Sequence, residues 1–403
     1  MNGRWRLAAT MLAGGLLAAC GSGGHDASSS GKAASTGAPT SVPTTARPTT
    51  PPCTTASAVA AWPLRRRAAT LVVVPILNFN VAGAAPEIAE GASGVLFLGT
   101  GSPPSSLAND LHKLSAAAHT NGNLLVMSDE EGGGVQRLDG AVSSLPWPRD
   151  MAQTMSPDQV RAQAATLAKQ MRALGVTVDL APVADVDARP GPSASNPDGR
   201  RSFSGDPTTA SRYAVAFMNG LRDGGVLPVL KHFPGLGGST GNTDEGPAAT
   251  LPISSLQTSA FPPFQAAIAA GAPAVMVANA SAPGLTSQPA SLSPNVYGLL
   301  RSSLGFRGLT VTDSLSAGAI SAVTPSLSSA AASAIGAGAD VVLFGSTLTP
   351  DETTQLQPGN VQATFDNILT AVTSAVEAGR ISQSALNAAV VQVLNARHVD
   401  PCS

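Results

Sequence analysis

From about residue 57 onward the chain alternates two patterns. Short, continuously apolar runs are separated by longer stretches whose apolar residues recur every three or four positions. The runs fall at 69–75, 94–99, 123–128, 176–182, 226–231, 273–278, 308–313 and 339–345. Consecutive rather than alternate apolar positions are the pattern of strands covered on both faces, as in a parallel sheet. The stretches between them read as helices, most clearly 157–174. There Ser156 can cap the first turn, Pro157 suits that turn, Gln159 completes a capping box and Gly175 ends the helix. Val160, Ala164, Leu167, Met171 and Leu174 fall on one face of it. Similar stripes lie near 361–378 and 383–396. Eight such strands with crossover helices predict an α/β protein, a single (β/α)8 TIM-type barrel spanning 57–403.

Before residue 57 the pattern is different. Arg4 and Arg6 precede the apolar run Leu7–Leu17, which is too short for a permanent bilayer span but suits a secretory signal over residues 1–20. The run ends Leu17-Ala-Ala-Cys20, which resembles the bacterial lipoprotein cleavage box. That resemblance implies cleavage before Cys20 and a lipid on its thiol. The expected location is the cell envelope, on the outer face of the cytoplasmic membrane. Residues 21–56 are Gly, Ser, Thr, Ala and Pro with almost no apolar clusters. Such a segment cannot bury enough surface to fold and reads as a tether.

Charged residues are 12% of the chain and the formal net charge is −2, so no basic footprint for nucleic acid exists. Cys53 and Cys402 bracket the region read as a barrel. The ends of a closed barrel lie close together and thiols outside the cytoplasm oxidise, so a Cys53–Cys402 disulfide is expected. No His, Cys and carboxylate cluster has metal-ligand spacing, and no cofactor is expected.

In such a barrel the chemistry gathers where strands end at their C-terminal side. The most distinctive exit is Lys231-His-Phe-Pro-Gly-Leu-Gly, followed by Gly238–Gly241, Asn242, Thr243, Asp244 and Glu245. The other polar exits are Asp129-Glu-Glu-Gly-Gly-Gly-Val-Gln-Arg137, Asp179-Leu-Ala-Pro-Val-Ala-Asp185, Arg200-Arg-Ser-Phe203 and Thr312-Asp-Ser-Leu-Ser316. In this order these stretches are similar to the signatures of glycoside hydrolase family 3, in its single-domain β-N-acetylhexosaminidase branch. The likeness covers roughly residues 60–400. Many members carry a second α/β domain after the barrel, whereas here the chain stops soon after the eighth unit.

The resemblance implies a retaining exo-β-glycosidase acting on β-N-acetylglucosamine at the ends of cell-wall-derived glycans. Asp313 matches the nucleophile. Asp129, Arg137, Arg201, Lys231 and His232 match positions that bind sugar hydroxyls. Glu131 is expected to partner an arginine, Asp185 to be structural and Arg200 to be solvated. Gly134 stands where the family usually has an arginine. His25, His112, His119 and His398 match no motif position. The branch carries its acid/base histidine in the loop after strand five, where this chain has Asn242, Thr243 and Asp244. Three assignments stay open on this reading: Asp244 as acid, Glu245 as acid, or no efficient acid. The last would make the protein a catalytically weakened glycan-binding lipoprotein of the envelope. The expected partners are a β-linked glycan and, through Cys20, a membrane; a monomer is expected.

Overall fold

The computed structural model describes residue 53 and residues 55–99, 101–118, 123–345 and 354–402. These belong to a compact unit, Pro52–Ser403. Eight strands form its parallel sheet: β1 (Val73–Leu77), β2 (Gly94–Leu98), β3 (Leu125–Ser128), β4 (Val178–Asp179), β5 (Leu227–Phe233), β6 (Ala274–Val277), β7 (Leu309–Ser314) and β8 (Val341–Leu343). They pair in chain order. A parallel bridge between Val72 and Val342 joins the last strand to the first, so the sheet curls into a barrel with helices outside.

The apolar runs become these strands because both faces are covered. Every residue of β2, β3, β6 and β8 is buried. Gly94 begins β2 where a Cβ would stand 2.0 Å from the carbonyl oxygen of Leu125, so the β2–β3 approach requires glycine there. Phe233, at the end of β5, stacks on Phe261 with centroids 5.8 Å apart and meets Phe264 edge-on at 5.3 Å. This aromatic cluster fixes the strand that carries Lys231 and His232.

The helix expected at 157–174 spans Pro157–Ala173, with both hydrogen bonds of its capping box formed. The terminal helices are Pro358–Glu377 and Gln383–Ala396. Most strand boundaries shift by a residue or two from expectation, and strands one and four shift more. Strand one begins at Val73 rather than residue 69, because the helix Leu64–Ala69 runs to that point and Thr70 closes it with a 2.9 Å hydroxyl bond to the Arg66 carbonyl. Strand four is two residues long rather than seven, and Pro182 beyond it has no N–H to give to the ladder.

Cys53 and Cys402 form the expected disulfide, with Cα atoms 6.0 Å apart. The folded unit therefore includes the last residues of the segment read as tether, since Thr55 already begins the helix Thr55–Ala60. Cys20, His25 and His119 lie outside the described residues. A bridge across a sequence separation of 349 should stabilise by about 6 kcal/mol in the chain-entropy model. Cys402→Ser is expected to lower the thermal unfolding midpoint by several degrees under non-reducing conditions. An unchanged midpoint would mean the bridge constrains nothing in solution.

Candidate active site

At the C-terminal mouth of the barrel is a cavity of about 490 Å³. Asp129, Arg137, Arg201, Lys231, His232, Asp244 and Asp313 all line it. They come from the ends of β3, β5 and β7 and from the loops after β4 and β5. The strands act as spokes that bring exits 184 positions apart in sequence, from Asp129 to Asp313, to one wall.

The floor is a charge network. Lys231 Nζ donates to Asp129 Oδ1 at 2.6 Å and lies 2.6 Å from Glu131 Oε1. Arg201 forks onto both Glu131 oxygens at 2.8 Å and donates a further bond to the Pro197 carbonyl at 2.9 Å. Burial alone would raise the Glu131 carboxyl, but Arg201 and then Lys231 hold it well below the usual carboxylate range. Burial would likewise lower Lys231, and Asp129 and Glu131 reverse that, so its ammonium is kept charged. Glu131 is thus the partner of Arg201, as expected for it, and also of Lys231.

Around this floor stand the groups that face the cavity. Arg137 approaches Asp129 Oδ2 at 3.9 Å and leans on the Gly99 carbonyl at 3.4 Å. His232, joined to Lys231 by a cis peptide bond, has Nδ1 2.6 Å from Asp185 Oδ2. Asp185 also accepts from the backbone N–H groups of His232 at 3.1 Å and Leu236 at 2.6 Å. It does not line the cavity; it orients the imidazole and the start of the loop after β5. With Nδ1 engaged, Nε2 is the ring nitrogen left to meet a ligand.

Asp313 is half-buried at the end of β7, where its Oδ1 accepts the Ser314 N–H at 2.8 Å. The Ser314 carbonyl is held by the Asn279 amide at 2.7 Å, and Asn279 by the Ser291 hydroxyl at 2.6 Å. These bonds fix the backbone beside the carboxylate. In the loop after β5, Asp244 is half-buried against the cavity while Glu245 is exposed and outside its wall. Of the two loop carboxylates, only Asp244 is placed to act there. Gly134 lies outside the wall, and a Cβ on it would meet the Trp147 ring at 3.0 Å. Arg200, expected to be solvated, is exposed, and it pairs with Asp150. His112 and His398 lie elsewhere on the molecule.

Pro192, Ser193 and Pro197 also line the cavity without a sequence signal of their own, beside Leu236, Asn242 and Thr243 of the loop after β5. They sit in loops, where no periodicity points inward. Glu130, beneath the floor, was also missed. It accepts from the Ser128 hydroxyl at 2.6 Å and from the N–H groups of Arg137 and Leu138 at 3.1 and 3.0 Å. It thereby shapes the turn that presents Arg137.

A carboxylate at a strand exit, a second on a loop of the same cavity and a floor of buried charges are the kind of arrangement that carbohydrate-cleaving barrels use. The sequence matches the family described as the glycosyl hydrolase family 3 N terminal domain over residues 72–396, and the chain belongs to that family. It is 38% identical over 285 residues to the beta-hexosaminidase LpqI of Mycobacterium tuberculosis, covering 69% of each protein. A solved structure titled M tuberculosis LpqI superposes with a TM-score of 0.75 at 34% identity, over 86% of this chain and 97% of that one. The structure of a beta-N-acetylhexosaminidase from Beutenbergia cavernae matches with a TM-score of 0.71 at 31% identity, over 84% of this chain and all 100% of that one.

Glu131→Gln leaves Lys231 and Arg201 with one fewer buried counter-charge, and should lower unfolding stability by about 3–5 kcal/mol in urea titration. Unchanged stability would remove Glu131 from its central place. Burial pushes the Glu130 carboxyl up from 4.5 to about 7. A raised folded value means its contribution is complete below pH 4.5 and is lost as pH climbs through 7. The protein should therefore lose stability on the order of 3 kcal/mol between about pH 5 and 8. Glu130→Gln should flatten that slope, and an equal slope in the variant would contradict it.

Proposed function

We propose that the protein is a retaining exo-β-N-acetylhexosaminidase that removes terminal β-N-acetylglucosamine from glycans derived from the cell wall. The observation that carries the reading is the single cavity that Asp313 and Asp244 share with the sugar-binding set Asp129, Arg137, Arg201, Lys231 and His232. The names of the relatives supply the sugar class.

Asp313 attacks the anomeric carbon through a transition state with oxocarbenium character and becomes a covalent glycosyl ester. Asp244, protonated, gives its proton to the departing oxygen, and as a carboxylate then takes a proton from the water that attacks the ester. Asp129 accepts sugar hydroxyl protons, while Lys231, Arg137 and His232 donate to hydroxyl oxygens. The alternative is a catalytically weakened glycan binder, which would share the same floor but not the reaction. Secretion and lipid attachment at Cys20 belong to the same proposal. They rest on the Leu17-Ala-Ala-Cys20 sequence and on the fit of a Cys53–Cys402 bridge to an oxidising compartment.

The test is a panel of aryl N-acetyl-β-glucosaminides with single variants. Asp313→Asn should lower kcat/KM by about 10³-fold or more on every substrate. Asp244→Ala should cost about 10²- to 10⁴-fold on poor leaving groups and little on dinitrophenolate, which departs without a proton. An Asp313→Asn protein as fast as the parent would refute the enzyme reading. Equal losses across leaving groups in Asp244→Ala would remove Asp244 from the acid role.

A further inference from the structure

The loop that carries Asp244 is not free over the cavity. Its stem is closed on itself by the Thr240 N–H, which donates to the Ala249 carbonyl at 2.9 Å, and is tied to the exit of β6 by the Ser281 N–H, which donates to the Ala248 carbonyl at 2.9 Å. Its tip is tied to the chain that follows the nucleophile. The Gly318 N–H donates to the Asp244 carbonyl at 2.9 Å, and the Ala319 N–H to the Thr243 carbonyl at 2.9 Å. Thr243 is buried by this contact.

The approach is so close that residue 318 has no room for a side chain. A Cβ there would stand 2.7 Å from both the carbonyl carbon and oxygen of Glu245, and 2.9 Å from the Asp244 oxygen. These are backbone atoms, which cannot swing aside. Gly318 itself begins the short helix Gly318–Ser321, and its φ is not of the kind that demands glycine. Alanine would suit its own backbone and better favour the helix. The requirement for glycine therefore comes from the docked loop alone.

At the other end of the loop, Arg189 Nη1 donates to the Ser239 carbonyl at 3.2 Å. Arg189 is aimed by Asp187, whose Oδ2 meets Nη2 at 2.9 Å, and by Asn196 Oδ1 at 2.7 Å. Asp187 is buried, and although burial opposes it, Arg189 holds its carboxyl below the usual range. The loop is thus gripped at its start by the exit of β4 and at its tip by the exit of β7.

We infer that Gly318 and Arg189 are positioning residues that clamp the loop after β5 closed, so that Asp244 faces the bond that Asp313 attacks. Neither residue lines the cavity, so both act through the loop. Only five positions separate Asp313 from Gly318, so the clamp sets the loop carboxylate against the nucleophile's own strand. The inference rests on the proposed roles of Asp313 and Asp244.

The test uses the full chain with Gly318→Ala, which pushes the tip away, and Arg189→Lys, which keeps the charge beside Asp187 but loses the fork. kcat/KM is measured on N,N'-diacetylchitobiose, whose sugar leaving group needs a proton, and on the 2,4-dinitrophenyl glycoside, whose leaving group does not. Each variant should lose at least ~10-fold on the first substrate and stay within about twofold on the second, the pattern of a mispositioned acid. Unfolding midpoints, measured alongside, should stay near the parent's. Equal losses on both substrates, or no loss on either, would overturn the clamp. Asp313→Asn and Asp244→Ala run in parallel test the underlying roles. If both behave as proposed while Gly318→Ala and Arg189→Lys show no leaving-group dependence, the clamp alone has failed.

Discussion

The buried salt link of Lys231 with Asp129 and Glu131 is the constraint on which the site depends. The ammonium of a residue only 2% exposed is costly to bury alone, by several kcal/mol in a real protein. It stays ionised because two carboxylate oxygens stand 2.6 Å away. Glu131 is in turn shared with the Arg201 fork, so the exits of β3 and β5 and the loop after β4 are locked in one geometry. Such a network contributes little net stability compared with a well-packed apolar floor. What it supplies is direction: charged donors and acceptors held at fixed positions, as recognition of a hydroxyl-covered ring requires.

Above this floor the two cavity carboxylates stand on very different supports. Asp313 belongs to a barrel strand, and its neighbouring backbone is braced through Asn279 and Ser291. Asp244 belongs to a loop that depends on contacts from β4, β6 and β7 exits for its place. The position of Asp313 is thus set by the fold, whereas that of Asp244 is set by contacts between exits. On the proposed roles, Asp244 does the work that the family resemblance gives to a loop histidine, with a shorter side chain. A shorter acid tolerates less error in loop position, which gives the tight approach at Gly318 a chemical reason.

Much of this was legible in the amino-acid order. The strands announce themselves as continuous apolar runs because helices cover their outer faces, and Ser156 with Gln159 marks a helix start that is capped as read. Residues at strand exits were legible because a barrel turns sequence position into spatial position. Contacts between loops were not. Asp185 reaches the His232 ring across 47 positions and Arg189 reaches Ser239 across 50, and neither pairing leaves a local pattern. The short hairpin Glu130–Gly132 with Val135–Gln136 was also hidden, since three consecutive glycines carry no side-chain periodicity. Asp244 and Glu245 could be separated only by geometry, because adjacent carboxylates look alike until one faces the cavity.

The central claim is a covalent bond between sugar and the carboxylate of Asp313, and trapping that bond tests it most directly. The protein is incubated with 5-fluoro-N-acetyl-glucosaminyl fluoride, denatured, and examined by intact mass and peptide mapping. The account predicts one sugar adduct per chain, on the peptide that contains Asp313, and none on Asp313→Asn. An adduct on another carboxylate, or steady turnover by Asp313→Asn, would contradict it.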